Sequence, residues 1–336
     1  MTHPLERSIQ ISNKNVTMKL SKIATLVAAM SVATTFEFFS VAQSAKGVAL
    51  TGLTGGNTLV FFDSATPSST TSLGVSGVGS ELLLGIDYRP ADGQLYGVTG
   101  TGVFTIDSSG NAARINTFTT PFNGGTTSGV DFNPAADALR IVGANGQNFG
   151  IGMGGRGATG VQTPLAYATG DPNAGANPTI TAAAYTNSFA GPASTPASPR
   201  GTVLYDIDSN LNVLVRQDPP GSGNLFTVGN LGVDVGTVGG FDIFSPTNGE
   251  NMAFAAFAIE GSTAASLYTI NLTTGTAGFV GQIGSGTGFN LTGLAAPISP
   301  TAVPEPSAIP GLIIAGIGTG LMLKRRKRKS SAADKK

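Results

Sequence analysis

The chain has 336 residues, of which 40% are hydrophobic and 11% charged, with no cysteine and a single histidine, His3. Disulfides, thiolate catalysis and cysteine metal sites are excluded, and the chain has too little histidine for a His-ligated zinc centre. Formal net charge is zero, but Lys46 to Pro300 carries seven bases against fifteen acids, a net of −8, so the body is not built to hold phosphate backbones or anionic lipid.

Residues 18–45, "MKLSKIATLVAAMSVATTFEFFSVAQSA", read as a secretory signal. Lys19 and Lys22 form its charged start, Ile23–Val32 its apolar stretch, and Ser40–Ala45 a zone of small residues for cleavage. Residues 1–17 form an upstream extension with Met18 as an alternative start. The only histidine lies in this segment, so the mature chain has no histidine base for a Ser-His-Asp triad.

From residue 46 to 300 the sequence is rich in Gly, Thr, Val and Asn, in short apolar runs between turn signals. "GIDYRPADGQLYGVTGTGVFTID" (85–107) aligns with "GVDFNPAADALRIVGANGQNFGIG" (129–152). A looser copy begins at 180–189 and resumes at 201–218, interrupted by the Pro- and Ser-rich loop "AGPASTPASP". Another copy runs from 240 to 275. The fifth is split: "FNLTGLAA" (289–296) matches a first strand without successors, and residues 47–73 match later strands without a first. Joining the two halves gives an all-β ring of five blades, about 50 residues each, closed by pairing of the last strand with the first blade so that no sheet edge stays open. A two-sheet sandwich and a β-solenoid are the alternatives. The glycine-rich "GIGMGGRGATG" (150–160) is irregular where an outer strand is expected.

The motifs at 85–90, 129–134, "LGVDVG" (231–236), "GFDI" (240–243) and "SLYTINLTTG" (266–275) resemble, over nearly all of residues 47–297, the bacterial domain of unknown function 4394. That resemblance implies a fold but no activity.

The chain end combines Pro304-Glu305-Pro306, an apolar stretch Ala308–Leu323 and six consecutive bases, Lys324–Lys329. Sixteen residues of helix span roughly 24 Å, short of the ~30 Å hydrocarbon core but enough for a thinned bilayer. The bases would stay cytoplasmic. Together the three parts, at residues 301–336, resemble the PEP-CTERM sorting signal. The resemblance implies an exosortase as partner during export, cutting near Pro304, Glu305 and Pro306, transient anchoring by a transmembrane helix, and release to the cell surface or an exopolysaccharide-rich matrix. A plain tail anchor is the alternative.

Aligned first strands place Asp87, Asp131, Tyr185, Asp242 and Ala295 at equivalent positions, which brings three carboxylates toward the ring axis. Oxygen ligands of this kind suit calcium or magnesium. The alternative is that each aspartate caps its own turn through backbone N–H groups. Asp171, Asn173 and Asn177 offer loop oxygens for a cation or for local Asx turns. Arg89, Arg140 and Arg216 could grip an acidic sugar, but pairing with the many aspartates is the simpler expectation. Three functional readings follow: a secreted, non-enzymatic binding or scaffolding propeller, a carbohydrate-active enzyme using paired acids, and a cation- or small-ligand-binding module. The few glutamates of the body (Glu81, Glu250 and Glu260) leave an enzyme to rely on aspartates.

Overall fold

Twenty-one strands make up almost all of the regular structure in the computed structural model, which describes residues 47–153, 160–259 and 261–299. The closing blade contains β1 (Ala49–Thr54), β2 (Thr58–Asp63) and β3 (Thr66–Gly74). The first blade is β4 (Gly85–Tyr88), β5 (Leu95–Val98), β6 (Gly102–Ile106) and β7 (Ala112–Thr117). The second is β8 (Ser128–Asn133), β9 (Ala138–Gly143), β10 (Asn148–Gly152) and β11 (Gly160–Val161). β12 (Ala166–Tyr167) precedes the third, which runs β13 (Ile180–Tyr185), β14 (Leu204–Asp208), β15 (Val213–Gln217) and β16 (Asn224–Asn230). The fourth is β17 (Val235–Phe244), β18 (Met252–Ile259), β19 (Ser266–Ile270) and β20 (Ala277–Gln282). Last comes β21 (Leu291–Ala295), which returns to the closing blade beside β1.

Each blade is an antiparallel meander, extended in the third by β12 pairing in parallel with β16, and the inner strands β4, β8, β13, β17 and β21 neighbour one another in a closed circle. The ring of five blades expected from the repeats is therefore present. β21 pairs with β1 through Thr51 opposite Ala295, Gly52 opposite Leu294 and Leu53 opposite Gly293. A strand contributed from the far end of the chain leaves β1 with no free inner edge.

The core is five clusters, one per blade interface. Phe104, Leu53 and Ile86 fill the closing–first interface. Phe132, Phe149 and Tyr96 fill the first–second. Tyr185, Leu204 and Val142 fill the second–third, Phe241, Phe257 and Tyr268 the third–fourth, and Leu50, Leu267 and Leu294 the fourth–closing. Because both faces of a blade pack on neighbours, the inner strands are buried on both faces rather than alternating between buried and exposed. β8 and β9 are almost wholly buried, whereas β7 and β20 at the rim are half-exposed or exposed along their length.

Glycine lets the inner strands approach this closely. Gly240 has φ +144°, a region open to glycine alone, and a Cβ there would collide with the backbone of Gly293 and Leu294 in β21. Two register shifts in β17 lie just before it. The inner strand of the fourth blade therefore begins at Val235, five residues before the repeat that the sequence suggested. The irregular segment at 150–160 yields an outer strand of only two residues, β11.

Residues 187–202, between β13 and β14, form a lid across the end of the ring toward which the inner strands run. Gly191 N–H donates to Pro90 O of the first blade, and Ser194 N–H to Ala135 O of the second. Ser188 N–H donates to Ser245 Oγ of the fourth, and Ala190 N–H to Ser299 O beyond β21. Arg200 stacks over Phe189, 4.0 Å from its ring centroid, and donates to Pro134 O and Ala190 O. The Pro-Ser composition gave a loop rather than a strand, as expected from the sequence, and the lid ties its own blade to the other four.

Among the described residues no helix is long and apolar enough to cross a membrane. The signal segment, the Pro304-Glu305-Pro306 motif and the stretch Ala308–Leu323 lie outside the described residues.

Candidate functional site

Directly beneath the lid, near the ends of β4, β8 and β17, the three aspartates converge. Asp87, Asp131 and Asp242 are each 1–3% exposed, and one oxygen from each lies within 4.8 Å of the others. Their side chains point toward the next blade of the ring and accept its backbone N–H. Asp87 Oδ2 takes Phe132 N–H at 2.7 Å, Asp131 Oδ1 takes Tyr185 N–H at 3.1 Å, and Asp242 Oδ2 takes Ala296 N–H at 2.5 Å. Two bonds remain within the same strand: Asp87 Oδ1 takes Tyr88 N–H, and Asp242 Oδ1 takes Ile243 N–H, both at 2.6 Å.

This pattern corrects one alignment. The carboxylate faces the following blade, and the next residue faces the preceding one, as Phe132 does toward the first blade. In the third blade Ala184 packs toward the fourth and Tyr185 toward the second. Ala184, not Tyr185, is therefore equivalent to the aspartates, because a one-residue slip in a strand reverses its faces. Ala295 does occupy the equivalent position in β21, facing the first blade. The expectation of purely local turn capping also needs amendment: three of the five bonds cross between blades.

The accounting is nearly complete. Five axial N–H groups, from Tyr88, Phe132, Tyr185, Ile243 and Ala296, meet six carboxylate oxygens. Where Ala184 and Ala295 offer no carboxylate, the aspartate of the following blade bonds the N–H beside itself. The sixth oxygen, Asp131 Oδ2, is buried with no hydrogen-bond partner. Burial raises all three acids. Asp87 lies well above the usual range through burial and then the charge of Asp242; Asp131 does so through burial and then Asp87 and Asp242. Asp242 rises to about 6, burial outweighing the backbone N–H groups of Ala296 and Ile243 and the close approach of Asp131 and Asp87, all of which hold it down.

Below the acids the axis narrows. Gly85, Gly129, Gly240, Gly293 and Ala182 line a cavity of about 10 Å³, room for a single water. A Cβ on Gly129 would come within 2.5 Å of Ala183 Cβ, so the ring cannot be this tight with a larger residue there.

The other candidate residues are absorbed in structure. Arg89 forms a two-bond pair with Asp137, at 2.7 and 2.6 Å, and a further bond to Asp92. Arg216 reaches Asp218, at 3.8 Å on the surface, and lies over the Phe226 ring, 5.5 Å from its centroid. Arg140 departs from the expected pairing with an acid: it donates to Asn148 Oδ1, Gln162 Oε1, Phe149 O and Tyr185 Oη. Asp171 binds Thr227 N–H, Thr227 Oγ1 and Asn173 N–H, which fastens the loop to β16 rather than opening it to a cation. Asn173 donates to Thr227, and Asn177 is exposed on the same loop. Glu81 pairs with Arg114 and Thr101, Glu250 is exposed in a turn, and Glu260 lies outside the described residues. A cleft of about 680 Å³ opens at the rim between the closing and first blades, lined by Leu59, Phe61, Leu73, Tyr88 and Ile106. Asp107, its one carboxylate, is bonded to Ser109 and Asn111.

The second–third interface holds a feature that the repeats did not announce. Asp206 is fully buried, and neither of its oxygens has a hydrogen-bond partner; Gln217 Oε1 is likewise unpartnered. Burial raises Asp206 well above the ordinary range, opposed by the charge of Arg140. An Asp two residues before Asp208 in "YDID" gave no signal of its own, since exposed turn aspartates are common in this sequence.

Five blades, four of them four-stranded and one five-stranded, a strand-closed ring and an axial cluster of hydrogen-bonded carboxylates define a five-bladed β-propeller. The profile of the domain of unknown function DUF4394 matches residues 58–295, well over half of the chain, and the protein belongs to that family. No curated protein matches it in sequence. Among solved structures it is similar to a chain of a nidogen/laminin complex at 10% identity and TM-score 0.43, covering 76% of this chain and all of that one. A protein from Lactobacillus plantarum matches at 17% identity and TM-score 0.37, covering 71% of this chain and 67% of that one. A putative 6-phosphogluconolactonase from Bacteroides uniformis matches at 14% and 0.36, covering 72% and 69%.

Proposed function

We propose that this is an exported, non-catalytic propeller that serves at the cell surface or in the extracellular matrix as a rigid binding or scaffolding module. The observation that carries the non-catalytic part is the state of the axial acids. Five of their six oxygens hold backbone N–H groups, and the lid closes over all three. Glycoside hydrolysis needs two acids facing a substrate-sized opening. The acids that converge here face one another across a sealed axis, and the rim cleft presents a single carboxylate that is already bonded.

Export is supported by the two ends of the sequence. The charged, apolar and small-residue order of residues 18–45 suits translocation, and the ordered trio at residues 304–329 suits an exosortase. The acidic body then favours a partner other than a polyanion, such as a neutral stretch of exopolysaccharide or a basic protein surface. Intact-mass measurement of the protein from its native host tests the address. The expected mature species begins near residue 46 and ends near Pro304-Glu305-Pro306. A surface species that retains Lys324 to Lys336 overturns exosortase processing.

A further inference from the structure

The axial cluster has one acceptor too many. Five N–H groups satisfy five of the six oxygens, and the remaining one, Asp131 Oδ2, has no donor although its residue is only 1% exposed. A buried carboxylate oxygen without a partner is costly, and structures resolve such sites with a proton, a water or a cation. Three features select among these. All donors at the site are oxygens on three separate carboxylates, and among the described residues no amine or guanidinium hydrogen-bonds or pairs with them. One oxygen from each of the three lies within 4.8 Å of the others, so a single cation with the 2.3–2.6 Å bonds of calcium can reach all three. A cavity with room for one water lies on the same axis, lined by the residues one and two positions before each acid.

We propose that Asp87, Asp131 and Asp242 hold one calcium-sized hard cation on the propeller axis, with Asp131 Oδ2 as its uncommitted ligand. The oxygens that accept N–H keep a second lone pair for the ion, and a water in the axial cavity completes the set. The ion is structural: it joins the inner strands of the first, second and fourth blades, which are otherwise linked at this level only by the N–H bonds. Because the lid covers the site, the cation enters while the ring is still open and is trapped as residues 187–202 close.

The test compares the full chain unfolded and refolded in calcium with the same chain refolded in chelator. Wild type refolded with calcium in hundredfold excess over its dissociation constant is expected to melt roughly 5 °C or more above the chelated form, and to retain one calcium per chain after dialysis. Asp131→Asn fills the vacant acceptor position with an amide N–H and is expected to fold in chelator, to retain no calcium and to show no calcium-dependent shift. Magnesium is expected to give a smaller shift than calcium in wild type. No shift and no retained calcium in wild type overturns the proposal and leaves protons as the occupants. An equal shift in wild type and Asp131→Asn also overturns it, since the ion would then sit elsewhere.

Discussion

Asp131 differs from Asp87 and Asp242 by a single hydrogen bond, and that difference predicts opposite responses to the same substitution. Asn at 131 keeps the acceptor for Tyr185 N–H, cannot ionise beside the other two acids, and places N–H donors where Oδ2 has none. Asn at 87 or 242 sets an amide N–H against a backbone N–H that has lost its acceptor. A buried donor left unpaired costs about 1–3 kcal/mol. In chelator, thermal unfolding is expected to show Asp131→Asn as stable as wild type or more so, with Asp87→Asn and Asp242→Asn lower by that amount. Equal losses at all three positions would contradict the hydrogen-bond accounting.

Asp206, away from the axial acids, makes its own contribution to the pH dependence. Its carboxyl is raised by burial in the folded state, above the 3.8 of a free side chain. Between those two values the native chain holds a proton that the unfolded chain releases. The stabilisation is thus complete below about pH 4 and is lost at about 1.4 kcal/mol per pH unit as pH rises toward the folded pKa. Asp206→Asn cannot ionise in either state. Denaturant unfolding across a pH series is expected to give the variant a flatter decline with rising pH than wild type; parallel curves would mean that Asp206 is ionised in the fold.

At the scale of the element, the sequence was most legible where the repeat is strictest. The inner strands of the first and second blades share Gly-x-Asp-aromatic followed by a Pro turn, and both appear where that pattern stands. The third blade lost the aspartate and the glycine together, leaving "AAAY", and only the aromatic ring kept the register. Aligning Tyr185 with Tyr88 and Phe132 would have set Ala184 opposite the acids. β12 was illegible for a different reason. Two residues pair in parallel with Asn224 and Leu225 of a strand far along the chain, and so short a segment has no periodicity to read. The lid was visible as composition only. Its function depends on bonds from Ser188, Ala190, Gly191 and Ser194 to four other parts of the ring, and such long-range pairings leave no local pattern. The site was half legible: the sequence brought the acids to one axis, but not the N–H groups that occupy them.

For the whole molecule the decisive element is the shortest-range-looking one, five residues at the end of the described chain. β21 is buried along its full length and serves three neighbours. It hydrogen-bonds β1, its Leu291 and Leu294 enter the fourth–closing cluster, and Ala295 enters the closing–first cluster. Ala296 just beyond it supplies an N–H to Asp242. Ending the chain after Gly288 removes all of these contacts, strips β1 of its inner partner and leaves two blade interfaces half-filled. Loss of one buried leucine costs about 2–5 kcal/mol, so losing two together with a strand pairing exceeds the 5–15 kcal/mol stability of most domains or comes close to it. Ending the chain after Pro300 keeps every one of these contacts. The expected outcome is a soluble, cooperatively melting protein for the longer truncation and an aggregating or unfolded one for the shorter. Size-exclusion chromatography and thermal unfolding of the two side by side decide it. Equal stability would mean that β21 does not close the ring.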